Sequence, residues 1–296
     1  MKEKDNTSKG KNLFHGIWTH YERFLVIPII LVILAGVILG VNYQKNGWIL
    51  KRGIDFSGGT EVTLALEGDV SSAKASFEKI AEESVTMRTL TSGDQKWVSF
   101  TSSKTFERSD LENKLKDEGV VYSDLSIRSL GASVSSSFFK QALIAILIAF
   151  VLMSIVIFIA FRTVVPSLAA ILSVIVDVVI TLGLMSLFNI ELTLGSLAAL
   201  LMLIGYSVDT DVLLSTRLIK ERTEDLESVT FGAMKTGLTM SITSLMAFLV
   251  LFLVSTSATL DSIAIVIVFG LLADIPSTWF QNAVILKNYA KRRIKK

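Results

Sequence analysis

The chain has 296 residues, 51% hydrophobic and 19% charged, with a mean hydropathy of +0.58; a soluble fold of this size cannot hide so much apolar surface, so the chain belongs in a membrane. A formal net charge of +2 offers no whole-chain attraction for nucleic acid. The absence of cysteine excludes disulfides, thiolate metal sites and Cys nucleophiles.

A polar tail, residues 1–23, comes first and holds both histidines, His15 and His20, which read as solvated side chains. The first apolar stretch, 24–41, is long enough to cross a bilayer of about 30 Å. It starts late for a signal peptide and no small-x-small cleavage site follows at 40–46, so it reads as an uncleaved anchor.

Residues 42–137 have the size and mixed polarity of a folded domain. Arg52-Gly53-Ile54-Asp55-Phe56-Ser57-Gly58-Gly59-Thr60 reads as a tight loop leading into a strand; it lacks the lysine of a phosphate loop. Glu61–Leu66 alternates as a strand, and residues 71–84 carry Ala73, Phe77, Ile80 and Ala81 at helical spacing, with Ser72 as a weak cap. Residues 85–90 and 96–101 read as strands joined at Ser92-Gly93-Asp94. A helix over 109–119 has Ser109 as cap, Glu112 three residues on and Gly119 as its stop, and 124–130 closes as a strand. The order β-α-β-β-α-β predicts an α+β ferredoxin-like domain.

The remainder, 138–286, is a five-helix bundle with predicted spans at 138–161, 164–188, 192–214, 236–254 and 263–286, followed by a basic tail, 287–296. The two tails carry five and six Lys or Arg residues. Arg162, and the group Arg217, Lys220, Arg222 and Lys235, lie in connections on the same side, while 189–191 and 255–261 carry none. The positive-inside rule therefore places both termini in the cytosol and domain 42–137 outside the cell membrane.

Ionisable groups inside spanning helices are functional candidates, because each is expensive to bury in lipid. They are Asp177 in the third span, Asp209 and Asp211 in the fourth, and Asp274 in the sixth. Asp209 and Asp211 lie roughly 200° apart around their helix and cannot share a face. Asp209 stacks with Gly205, and Asp211 with Ser207 and Ser215. Asp274 precedes Pro276, which loosens the helix there. In the fifth span Thr236, Thr239 and Thr243 form a stripe, read as interhelical hydrogen-bond glue or as the lining of a hydrated path to Asp209.

Two motifs, Gly205-Tyr206-Ser207-Val208-Asp209-Thr210-Asp211 and Asp55-Phe56-Ser57-Gly58-Gly59-Thr60, together resemble the SecF family of protein-export membrane subunits, and the resemblance covers nearly the whole chain. Asp209-Thr210-Asp211, where bacterial members usually have Asn-Asp-Thr, resembles the archaeal branch, as does Ala273-Asp274 with Trp279 and Asn282. The resemblance implies a six-helix half of an RND-like unit paired with a SecD-like subunit, assisting the Sec translocation channel while external domains hold the exported polypeptide. It implies ion coupling through fourth-helix acids, with Asp209 first and Asp211 second, and with Lys235 as an approximate counterpart of a basic residue on the fifth helix. It implies no enzyme activity, cofactor or metal, and membrane lipid but not nucleic acid as surroundings. Two other readings use the same acids: a proton-coupled small-solute transporter, and an intramembrane aspartyl protease built on Asp177 and Asp209.

Overall fold

The computed structural model describes residues 18, 20–92, 95–220 and 225–294. His15, Gly93, Asp94 and Arg222 lie outside the described residues. Among the described residues, six helices are long and apolar enough to cross a membrane. The first is a 3-10 turn, Tyr21–Leu25, running into α1, Val26–Asn46. The next four are α5 (Ala132–Phe161), α6 (Val164–Leu187), α7 (Leu194–Lys220) and α8 (Leu226–Val254). The last is composite: α9, Ala258–Pro276, passes through a π-helical segment, Ser277–Asn282, into α10, Ala283–Ile294. Every predicted span is present, and all but the third run longer than the apolar window, since a helix ladder continues into polar residues wherever its backbone groups stay paired.

Between α1 and α5 lies the small α+β domain: a one-turn helix α2 (Ile54–Ser57), β1 (Gly59–Leu66), α3 (Val70–Ala81), β2 (Thr86–Ser92), β3 (Gln95–Ser102), α4 (Arg108–Asp117) and β4 (Tyr122–Leu130). The strands form one antiparallel sheet in the order β2-β3-β1-β4. Two cap assignments need correction. Asp69, not Ser72, caps α3, its carboxylate accepting from Ser72 N at 3.0 Å. The cap of α4 is Glu107, two residues before Ser109. Gly119 ends α4 as expected, at φ 72°.

Strand alternation gives the sheet two unlike faces. Val62, Leu64, Val98, Phe100 and Leu125 point toward α3 and α4 and pack on Ala73, Phe77, Leu111 and Leu115, with Phe77 stacked on Phe100 at 5.0 Å. The opposite face carries Glu61, Thr63, Arg88, Ser99 and Arg128 in adjacent register positions and is polar. That face rests on the bundle. Arg88 pairs with Asp261 at 2.7 Å and donates to Ser262 Oγ at 2.9 Å, and Arg128 donates to Thr259 Oγ1 at 3.2 Å, all three acceptors lying in the first turns of α9.

Within the bundle α6, α7 and the α9–α10 unit are central, while α1, α5 and α8 are peripheral, with at most 17% of their apolar windows buried. Ala35 of α1 sits on Gly183 of α6 so closely that a Cβ there would collide with it. One apolar cluster, including Tyr21, Leu214, Trp279 and Leu286, fills the end near both termini. Another, including Leu50, Met185, Leu200 and Ile267, fills the end beneath the α+β domain. The buried carboxylates lie in the helix stretches between them.

Candidate functional site

Each central helix places three polar side chains four residues apart, and this spacing puts them on one face. They are Ser173, Asp177 and Thr181 on α6; Ser207, Asp211 and Ser215 on α7; and Asp274, Thr278 and Asn282 across α9 and the π segment. All nine are at most 1% exposed. The stripes meet. Asp177 accepts from Ser207 Oγ at 2.5 Å and from the Ser277 hydroxyl. Asp211 Oδ1 accepts from Asn282 Nδ2 at 2.7 Å and lies 3.0 Å from Thr278 Oγ1. Asp274 lies 2.9 Å from Thr278 Oγ1 and 3.0 Å from Thr210 Oγ1.

Pro276 explains how one helix reaches both partners. It has no N–H to bond the carbonyl one turn back, and the ladder widens into the π segment immediately after it. The Ser277 hydroxyl approaches the carbonyls of Ala273 and Asp274 at 3.2 and 3.1 Å. The sixth-span polar positions at 278 and 282 follow from the sequence as an i, i+4 continuation of Asp274, a signal the single-residue reading of Asp274 passes over.

The hydroxyl of Thr278 has one proton and two carboxylate neighbours. The second contact therefore needs a proton held by a carboxyl group. Asp211 Oδ2, Asn282 Oδ1, Ser173 Oγ and Ser215 Oγ are buried with no hydrogen-bond partner among the described residues. No three carboxylates among the described residues converge as a cation's ligand set would. Hydroxyls bridge them instead.

Asp209 stands elsewhere. It is exposed on the outer face of α7 and makes no hydrogen bond or ion pair among the described residues, and neighbouring Gly205 and Tyr206 are exposed beside it. Asp177 and Asp209 are thus not brought together as an aspartyl-protease pair. Lys235, Thr236, Thr239 and Thr243 are likewise exposed on α8. The three threonines return their hydroxyls to their own helix, to the carbonyls of Gly232, Lys235, and Thr239 with Met240, at 2.8–3.1 Å, so among the described residues they bond no neighbouring helix.

The second motif forms the junction between domain and bundle. Gly58 and Gly59 have φ 81° and 117°, and a Cβ on Gly59 would strike the Ser102 carbonyl, which is why glycine is required there. Thr60 Oγ1 meets Ser129 Oγ at 2.9 Å and accepts from Phe106 N at 3.2 Å. Phe56 packs edge-on against Phe139 at 5.8 Å. Asp55, 1% exposed, pairs with Arg128 of β4, and its second oxygen accepts from Leu194 N, at the start of α7, at 2.8 Å. Thr193 and Ser196 complete that cap reciprocally, at 2.7 and 3.1 Å. Beside it burial pushes the Glu61 carboxyl up, against the opposing pull of the Ser99 hydroxyl and Arg128. Asp55's partners lie 73 and 139 residues away in the chain, beyond the reach of local sequence reading.

Residues 110–292 match the family described as protein export membrane protein SecD/SecF, C-terminal. The chain is 38% identical over 280 residues to the protein-export membrane protein SecF of Methanocaldococcus jannaschii, covering 91% of this chain and 95% of that one. It is 35% identical to the SecF of Pyrococcus furiosus, covering 99% of both. Among solved structures it resembles SecDF from Thermus thermophilus, described as translocon-associated, with a TM-score of 0.75 at 21% identity. That likeness covers 92% of this chain and 38% of the SecDF chain, so this chain spans well under half of that protein.

Proposed function

Because the chain belongs to the SecD/SecF family of protein-export membrane proteins, and serves as a SecF-type auxiliary subunit of Sec protein export, we propose that its three buried aspartates couple proton movement to that work. The carrying observation is the Thr278 hydroxyl shared by Asp211 and Asp274. A proton on either carboxyl decides which oxygen Thr278 serves. Losing it leaves two ionised carboxylates against one donor, and repulsion between them favours separation of the π segment from α7. Bridging hydroxyls, in place of convergent ligands, favour a proton over a metal-like ion. Asp211, Asp177 and Asp274 thus take the coupling role, ahead of Asp209.

The proposal extends to the partner. Relatives bear the SecD/SecF name, and a charge left facing lipid at mid-helix costs about 2.5–3.5 kcal/mol. Asp209, Gly205, Tyr206 and the Thr236-Thr239-Thr243 stripe with Lys235 therefore form the face that a SecD-like subunit covers. Lys235 then serves as a partner contact. Tail charges favour cytosolic termini, which puts the α+β domain outside, where it meets the exported polypeptide near the translocation channel. We read this domain as ferredoxin-like on its β-α-β-β-α-β order and its sheet order β2-β3-β1-β4, and the bundle as half of an RND-like unit.

The test is replacement of the native protein in a depleted strain, scoring secretion and membrane insertion separately from abundance. Asp211→Asn is expected to abolish assisted export at normal abundance; unimpaired export removes the triad from the mechanism. Asp209→Arg is expected to lose co-purification with a six-helix partner while the isolated subunit stays folded.

A further inference from the structure

A second site lies away from the carboxylates, on the flank of α5. A cavity of about 400 Å³ opens between α1, α5, α6 and α7 just beneath the α+β domain. Its walls are apolar, among them Phe139, Leu143, Phe150, Leu182 and Ile204. Phe139 and Phe150 are eleven residues apart on one helix, about 16 Å at 1.5 Å per residue, or roughly half the thickness of a hydrocarbon core. The slot therefore has the depth of one leaflet.

At its mouth stands a cation. The Arg52 guanidinium lies 4.4 Å above the Trp48 ring and 4.0 Å above the Phe139 ring, and both rings line the same cavity. It has no carboxylate partner among the described residues, whereas neighbouring Lys51 pairs with Glu191 at 3.1 Å. The backbone around Arg52 is fixed: Gly53 N donates to Leu192 O at 2.8 Å and Leu192 N to Lys51 O at 2.7 Å. Tyr43 and Trp48 are 57% and 49% exposed beside it, the aromatic signature of a membrane–water boundary. A positive head over an apolar slot one leaflet deep complements one kind of molecule.

We propose that this is a binding site for an anionic membrane lipid, with its phosphate on Arg52 and one apolar chain in the slot. Two aromatic rings hold the guanidinium flat while its N–H edge stays free to fork onto phosphate oxygens. The lipid fills the gap between peripheral α1 and α5 and the central helices, directly under the one-turn helix α2 that carries Asp55.

The test uses the full chain in detergent with added phosphatidylglycerol or phosphatidylcholine, counting retained lipids by native mass spectrometry. Wild type is expected to retain phosphatidylglycerol preferentially. Arg52→Gln should weaken it about fivefold, the ratio that corresponds to about 1 kcal/mol for one basic residue at an anionic surface, and leave phosphatidylcholine unchanged. Leu143→Trp, which fills the slot from an exposed position, should lose both lipids while the unfolding midpoint holds. Equal retention of the two lipids by wild type, or unchanged preference in Arg52→Gln, overturns the proposal. So does a photocrosslinker at position 143 that captures polypeptide and no lipid.

Discussion

A methyl group added at position 59 would meet the Ser102 carbonyl, and a φ of 117° there strains any L side chain. Gly59→Ala is therefore expected to cost about 1–3 kcal/mol, read as a lower unfolding midpoint of the α+β domain. Gly68→Ala, where a Cβ meets nothing within 4 Å, serves as the near-neutral control. Glu83 makes a pH-dependent contribution in the same domain. Its carboxylate accepts from Ser102 Oγ at 2.6 Å, from Ser103 N at 2.7 Å and from Ser103 Oγ at 2.5 Å, and these bonds hold it below the usual carboxylate range. A group depressed in the folded state stabilises above its unfolded value, about 4.3 for Glu, and the effect is lost as pH falls through the lower folded value. The midpoint difference between wild type and Glu83→Gln should hold from neutral pH to about 5 and shrink below it; a difference that grows in acid would refute the assignment.

At the scale of the element, the helices were written plainly in the sequence and their inward faces were not. Apolar length alone marks six spans, and the 100° step separates Asp209 from Asp211. Which of the two faces inward depends on what packs beside α7, and only the stripes on α6 and the π segment decide for Asp211. The strands and helices of the α+β domain were legible from alternation and turn residues, while the caps at Asp69 and Glu107 were missed because several polar residues near each start compete for the role. Asp55 was legible only as part of a motif. Its work, capping α7 while holding Arg128, is visible only once β4 and α7 converge on it. A double-mutant cycle measures that convergence. Asp55→Asn and Arg128→Met should each destabilise, and their coupling energy should be about 0.5–1 kcal/mol, since the first alone leaves Arg128 without its buried partner. Additive effects would show that the contact does not join the elements.

Across the whole molecule, the domain stands on the two helices that carry the interacting carboxylates. Asp55 and Arg128 hold the start of α7, and Arg88 and Arg128 hold the first turns of α9. Asp211 lies 17 residues below Leu194, and Asp274 lies 13 below Asp261, about 25 and 20 Å of helix respectively. A helix is stiff along its axis, so a separation of α7 from the π segment at Thr278 reaches the domain as a relative shift of its two supports. These supports are polar and partly solvated: the Arg88 and Arg128 side chains are 28% and 39% exposed. Each pair is then worth about 1 kcal/mol or less and weakens with salt, which suits a joint that must move. Arg88→Gln combined with Arg128→Gln should therefore leave both halves folded and release the domain. Spin labels at Ala75 on α3 and Val250 on α8, both exposed, should report a single narrow distance in wild type and a broad distribution in the double variant. Export assistance should fall with it, while Asp211→Asn should block export with the distance still narrow. If the double variant keeps the narrow distance, the domain is held by something other than its polar face, and the path from carboxylate to domain must run elsewhere.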